Sequence, residues 1–277
     1  MTQKLAGKVA LVTGAARGQG RAHAVRLAAE GADIIAVDLC GPVGSVPYAL
    51  AGPADLKETA GQVEALDRRI VTAQADVRDY AELESVVSQG VSELGRLDIV
   101  LANAGILSAG PAETLATASW HDMIDINLTG VFNTAKAAIP HLRAGGNGGS
   151  IVMTSSALGI RAMPNMSHYV AAKTGVIGLM RALALELAAD RIRVNTVHPS
   201  IVDTLMVQNQ STYDLFVPHV ENPTAEQAAE VFASMNPLPT RWVEEQDVTN
   251  AVMFLVSDDA RYITGLELKI DAGFCLA

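Results

Sequence analysis

Lys8-Val9-Ala10-Leu11-Val12-Thr13-Gly14-Ala15-Ala16-Arg17-Gly18-Gln19-Gly20-Arg21-Ala22-His23 begins as an aliphatic run, breaks at a glycine-rich turn and passes straight into a helical pattern. A short continuous apolar run reads as a strand covered on both faces, and the immediate switch of period reads as the first half of a strand–helix–strand unit. Gly14, Gly18 and Gly20 let the backbone approach a pyrophosphate, whose charge would sit at the helix N-terminus with Arg17 and Gln19 beside it. A glycine turn alone is also an ordinary tight connection. The next strand supplies the discriminating residue, because Asp38 closes it and follows Gly20 by 18 positions. That is close to the spacing at which an acid accepts hydrogen bonds from the adenine ribose hydroxyls. A carboxylate there repels a 2′-phosphate, whereas Arg17 could meet one. An anion–anion contact in a dry crevice costs more than a mobile arginine returns, so NAD is expected over NADP.

Outward from this unit the same alternation continues to the end of the chain. Strands are expected at Lys8–Thr13, Asp33–Asp38, Ile70–Ala75, Asp98–Ala102, Ser150–Thr154, Arg193–Val197 and Leu266–Asp271. Helices are expected at Gln19–Glu30, Leu56–Arg68, Tyr80–Leu94, Ala118–His141, Met166–Ala189 and Glu244–Val256. Repeated units of this kind give an α/β fold: a single doubly wound, Rossmann-type domain over 1–277, with a seven-stranded parallel sheet and helices on both faces. Two segments exceed the minimal alternation, the Gly/Pro-punctuated insertion 39–53 near the cofactor and the region 203–239 on the substrate side. Long segments after strand carboxyl ends overhang the ligand crevice, and both are read as lids.

Composition agrees with a buried sheet. Of 277 residues, 49% are hydrophobic and 18% charged, below the usual quarter, so much of the chain faces other protein. A net charge of −10 repels nucleic acid and anionic membrane, and no apolar run reaches the roughly 18 residues a bilayer span needs. A cytoplasmic location is expected, with no nucleic-acid or membrane partner. Cys40 and Cys275 stand alone, and none of the six histidines pairs at metal-ligand spacing, so no metal is expected. His168 reads as packing or surface; Trp120, Phe132 and Trp242 read as core or interface. Ile160–Met166 and Leu205–Phe216 are candidate linings of an apolar substrate pocket.

Tyr169 and Lys173 lie four positions apart in an expected helix, which puts phenol and ammonium on one face. A tyrosine of ordinary pKa near 10 is a poor base at neutral pH, and an adjacent lysine charge favours phenolate. Ser156, just after the fifth strand and 13 positions before Tyr169, could bring its hydroxyl to the same point. Each residue also has an ordinary use, as a surface pair or a helix cap. Downstream of a nucleotide turn, they read together as a proton-transfer set.

With these residues in place, the chain resembles a short-chain dehydrogenase/reductase along essentially its whole length. The family's motifs stand here as Thr13–Gly20 for the pyrophosphate, Asp76-Val77 for the adenine, and Asn103-Ala104-Gly105 at the end of the fourth strand. The resemblance implies Asn127, Ser156, Tyr169 and Lys173 as catalytic residues, with Asn127 supporting a water-linked proton path to Lys173. Tyr169 and Lys173 also touch the nucleotide, as do Pro199, Val202 and Thr204 near the nicotinamide. Where the family has glycine after Pro199 this chain has Ser200, which puts the local backbone path in question. The insertion after Asp38, together with His198-Pro199, Glu221-Asn222-Pro223-Thr224 and Asp271-Ala272-Gly273, is similar to the mycofactocin-coupled subfamily, which includes carveol dehydrogenases. That implies tightly held NAD, a separate redox partner, mycofactocin, and a small-molecule alcohol or ketone substrate. It also implies a homotetramer built through Ala118–His141 and Met166–Ala189. The alternatives are an NADP-linked carbonyl or 3-oxoacyl reductase and a non-catalytic nucleotide-binding redox sensor.

Overall fold

Val9-Ala10-Leu11-Val12-Thr13 forms strand β1 and is buried at every position, as a strand covered on both faces must be. In the computed structural model, which describes residues 3–276, it is an interior strand of one parallel sheet. The other strands are β2 (Asp33–Asp38), β3 (Ile70–Gln74), β4 (Ile99–Ala102), β5 (Gly149–Thr154), β6 (Ile192–Pro199) and β7 (Glu267–Ile270). Their order is β3-β2-β1-β4-β5-β6-β7, so the expected seven-stranded doubly wound sheet is present. Leu11 aligns with Ile35 on one side and Val100 on the other.

The strand period of two divides the core between the faces. Leu11, Ile35, Val100 and Ile151 pack with α3 (Tyr80–Leu94), α5 (Gly130–Gly145) and α6 (Ser167–Glu186). Val12, Ile34, Leu101 and Val152 pack with α1 (Gly18–Ala29), α2 (Pro53–Glu64) and α9 (Glu245–Val256). Local chemistry sets the helix ends: the Asp79 carboxylate accepts from Glu82 N at 3.0 Å to open α3, and Gly95, with φ of 89°, closes it. The sheet order reverses between β1 and β4, and the crevice beyond their carboxyl ends is where such folds bind ligands.

Three expectations are corrected. Ala118–His141 lies in one unbroken helical run, but it is not α-helical throughout: α4 (Thr117–Ile124) and α5 are joined by a π-helical turn, Asp125–Thr129, that periodicity cannot distinguish from an α turn. The insertion ends one residue early, since Pro53 is already the first residue of α2, where a missing N–H costs nothing. Region 203–239 contains α7 (Gln210–Phe216) and α8 (Ala225–Met235), capped by Asn209 and Thr224. These helices enclose a small third core around Phe232, with Phe216 edge-on to it at 5.0 Å. Elsewhere only boundaries move, for example α6 ending at Glu186 and β6 running on to Pro199. No described helix is long and apolar enough to cross a membrane.

Candidate active site

Every residue expected to bind nucleotide lines one cleft of about 290 Å³ at the β1/β4 reversal, and so do Ser156, Tyr169 and Lys173. Its floor depends on close backbone approach. A Cβ on Gly20 would fall 1.9 Å from the Gly14 carbonyl oxygen, so only glycine allows the turn to fold onto the start of α1. Asn103 laces β4 to β1: its amide donates to Thr13 O at 3.1 Å, and the Thr13 hydroxyl accepts from Asn103 N at 3.2 Å and Ala104 N at 3.3 Å.

Asp38 is held at the end of β2 by two backbone donors, Ala16 N and Cys40 N, each at 3.0 Å. Arg17 lines the cleft as well, and its guanidinium donates to Ala49 O in the insertion. Asp76 pairs with Arg78, which also reaches Asp122 at 2.8 Å. Burial alone would raise the Asp76 carboxyl, but the Arg78 hydrogen bonds and charge outweigh it and hold it below the usual range. Two buried side-chain oxygens in the cleft, Gln19 Oε1 and Ser200 Oγ, have no partner among the described residues. The orphaned Gln19 oxygen, in the first turn of α1 beside the glycine-made gap, fits a polar, phosphate-bearing ligand.

At the other end, α6 presents Tyr169 and Lys173 on one face, 8% and 4% exposed. Lys173 Nζ donates to Thr154 O at 2.9 Å and lies 5.7 Å from the Tyr169 ring centroid. The expected lowering of the tyrosine is not what the protein alone produces. Burial pushes the Tyr169 phenol up, partly opposed by the Ser156 hydroxyl, and burial brings Lys173 down to about 8. Spacing places the pair correctly, but low dielectric penalises both charges at once.

Ser156 follows β5 in extended conformation, and its Oγ accepts from Leu158 N at 3.1 Å. Its carbonyl accepts from His198 Nδ1 at 3.0 Å. A carbonyl can only accept, so Nδ1 carries the proton and Nε2 accepts from the Thr196 hydroxyl at 2.7 Å. His198 thus fixes the backbone that presents Ser156, a role no local motif signals. Ser200 adopts no left-handed conformation, and its N–H donates to Ile270 O at 3.2 Å, so with serine in place of the family glycine the backbone leaving β6 stays paired with β7. Val202 then pairs with Val243, and a Cβ on Gly18 would lie 3.6 Å from Thr204 Cγ2.

Asn127 sits in the π-helical turn, fully buried and outside the cleft lining. Its amide closes a reciprocal pair with Ile106, accepting from N at 2.8 Å and donating to O at 2.9 Å. It therefore holds the loop after β4 and does not reach Lys173 directly. A Cβ on Gly105 would lie 3.2 Å from Asn127 Oδ1 and 3.5 Å from Lys173 Nζ, so glycine keeps the space between them clear.

Of the two candidate apolar linings, Leu205, Met206 and Val207 line the cleft, whereas Ile160–Met166 does not reach it. His168, expected as packing or surface, is fully buried, with Nε2 bonded to Ser108 Oγ at 2.9 Å. Trp120 and Phe132 are 40% and 42% exposed, outside the core. Two further lining residues carry no sequence signal. Tyr48 comes from the insertion, and Glu245 from the start of α9, where burial raises its carboxyl, opposed by Arg21.

Comparison with known proteins agrees with this architecture. Residues 14–275 match the family model described as enoyl-(acyl carrier protein) reductase. The chain is 54% identical over 274 residues to the (−)-trans-carveol dehydrogenase of Rhodococcus erythropolis, covering 99% of each chain. Among solved structures, carveol dehydrogenase from Mycobacterium avium in complex with NAD superposes with a TM-score of 0.97, at 56% identity and 99% coverage of both chains. A short chain dehydrogenase from Mycobacterium paratuberculosis bound to NAD gives 0.92 at 44% identity, covering 99% of this chain and 100% of that one. Together with the seven-stranded sheet and the cleft at its reversal, these matches show that the chain belongs to the short-chain dehydrogenase/reductase family of oxidoreductases.

Proposed function

We propose that this protein is an NAD-dependent dehydrogenase that interconverts a secondary alcohol, of the compact cyclic terpenoid class represented by carveol, and its ketone. The observation that carries the reading is the meeting of Ser156, Tyr169 and Lys173 in the same cleft as the glycine turn and Asp38. When bound, NAD supplies the two-electron acceptor for the alcohol carbon. Gly14–Gly20 would hold its pyrophosphate, Asp38 its adenine ribose, Asp76-Val77 its adenine, Lys173 its nicotinamide ribose, and Pro199, Val202 and Thr204 its nicotinamide. In oxidation, Tyr169 Oη accepts the hydroxyl proton and Ser156 Oγ donates a hydrogen bond to the substrate oxygen. Lys173, at about 8, is cationic at neutral pH, and its charge stabilises a phenolate that burial alone disfavours. Asn127 steadies the Ile106 loop, and Gly105 keeps open the space through which a proton can pass toward Lys173.

The tie of Arg17 to Ala49 and the carboxylate of Asp38 both favour NAD over NADP. Fastening of the insertion over the cleft also supports retention of NAD between turnovers, with electrons leaving to a separate redox partner of the mycofactocin type. Exposed Trp120 and Phe132 on α4 and α5 support a homotetramer through those helices, which sedimentation would test.

Replacing Tyr169 with Phe tests the assignment. Turnover of a cyclic secondary alcohol should fall by about 10³-fold or more while calorimetry still shows NAD bound. Retained turnover would remove Tyr169 from the proton-transfer role.

A further inference from the structure

The insertion leaves β2 beside Asp38, yet one of its side chains reaches the opposite end of the cleft. Tyr48 lines the cleft with Ser156, Tyr169 and Met206, and it also lines a separate hollow of about 10 Å³ with Leu107, Thr212 and Leu215. Its ring therefore stands between the reaction cavity and α7. Leu107 N donates to the Tyr48 hydroxyl at 3.0 Å, which fixes the oxygen and leaves the phenol its own proton to donate. Among the described residues that proton has no acceptor. Burial pushes the Tyr48 phenol upward and the neighbouring Tyr169 phenol adds to the shift, so two phenols face one space and Tyr48 stays protonated where Tyr169 exchanges its proton.

The segment is pinned on both sides of this residue. Ser45 Oγ donates to Asp122 at 2.7 Å, Arg17 donates to Ala49 O, and Gly52 N donates to the Asp55 carboxylate at 2.7 Å. Tyr48 is thus presented to the cavity by a tethered loop. The cleft that it lines has aliphatic side chains as well, among them Leu50, Ile106 and Val207. A few placed polar groups in an otherwise apolar site fix the orientation of a ligand and select among ligands.

We propose that Tyr48 is a substrate-selecting residue: its ring walls the alcohol site against α7, and its unclaimed phenol proton hydrogen-bonds an oxygen of the bound alcohol or ketone. The inference rests on the alcohol-dehydrogenase reading above and deepens it. It makes the loop at the cofactor end also set the substrate end, so that the cleft accepts compact ring alcohols and rejects larger ones.

The test uses the full-length enzyme with saturating NAD, in wild-type form and as Tyr48→Phe and Tyr48→Ala, on cyclohexanol, carveol and a decalol. NAD affinity is measured separately by calorimetry and folding by thermal melting. Tyr48→Phe should raise KM for the compact alcohols about fivefold, with kcat within about twofold and NAD affinity unchanged. Tyr48→Ala should shift the kcat/KM ratio about tenfold toward the decalol. Wild-type turnover with the same kcat/KM ratios in both variants, or a defect confined to NAD affinity, would overturn this proposal alone. A wild-type enzyme that oxidises none of the three alcohols would overturn the underlying reading and the proposal with it.

Discussion

At the floor of the cleft, a Cβ on Gly20 would fall 1.9 Å from the Gly14 oxygen, and Asn103 laces β4 to β1 through Thr13. At its walls, the 39–52 segment is held by Arg17 on Ala49, Leu107 on Tyr48 and Ser45 on Asp122, single hydrogen bonds between segments far apart in sequence. The floor is set by backbone geometry that the whole sheet enforces, so a change there has no small version. A wall bond is worth about 1 kcal/mol, so changes there tune rates and selectivity.

The largest contrast should come from two glycines. Gly20→Ala forces the turn apart and should weaken NAD binding by at least about a hundredfold, roughly 3 kcal/mol. Gly44→Ala, in the insertion, meets nothing within 4 Å and should leave binding unchanged. Calorimetry on both, with circular dichroism to confirm folding, would break the distinction if the two variants behaved alike.

Lys173 offers the next largest effect, and its sign follows from burial. Its folded pKa lies at about 8 against an ordinary 10.5, so below pH 8 both states carry the proton and the buried ammonium weighs fully against the folded state. Between about 8 and 10.5 the unfolded chain keeps the proton that the folded chain has released, and stability rises with pH. The rise from this group amounts to roughly 3 kcal/mol. Urea unfolding of wild type and Lys173→Met across that range should show it as a difference that closes with increasing pH. A constant difference would mean that Lys173 titrates normally.

His198 lies between floor and wall, a side chain acting on a strand end. His198→Leu removes the donor to the Ser156 carbonyl and should lower kcat about tenfold with NAD affinity preserved. Partial recovery in His198→Asn would identify the hydrogen bond, and not the volume, as the cause. An equal loss of NAD affinity would instead make His198 part of the general fold.

The same distinction explains what could be read from the sequence. The placement of the glycine turn, Asp38 and the Tyr169–Lys173 pair in one cleft is legible because each depends on neighbours a strand or a helical turn away. Tyr48 and His198 were not, because their partners Leu107 and Ser156 lie 59 and 42 positions off and nothing local specifies them. The π-helical turn at Asp125–Thr129 shares its composition with the helices it joins. Helices α7 and α8 are short and lie between prolines, which made 203–239 read as loop. The proton affinity of Tyr169 depends on how much water the fold removes, a quantity that spacing does not carry.

Arg17 gives the smallest effect, and it separates the two regions most directly because it starts in the floor and ends on the wall. Its position inside the glycine turn suggests a ligand for phosphate, yet its guanidinium is committed to the Ala49 carbonyl of the insertion. If the wall role governs, Arg17→Ala loosens one tie and should speed NAD dissociation about fivefold, the equivalent of one hydrogen bond. The NADH to NADPH preference should then stay where Asp38 sets it, since neither backbone donor to that carboxylate changes. If the floor role governs, the preference shifts and dissociation of NAD does not. Stopped-flow release of NADH, paired with equilibrium titrations of both nucleotides, distinguishes the two roles in one variant.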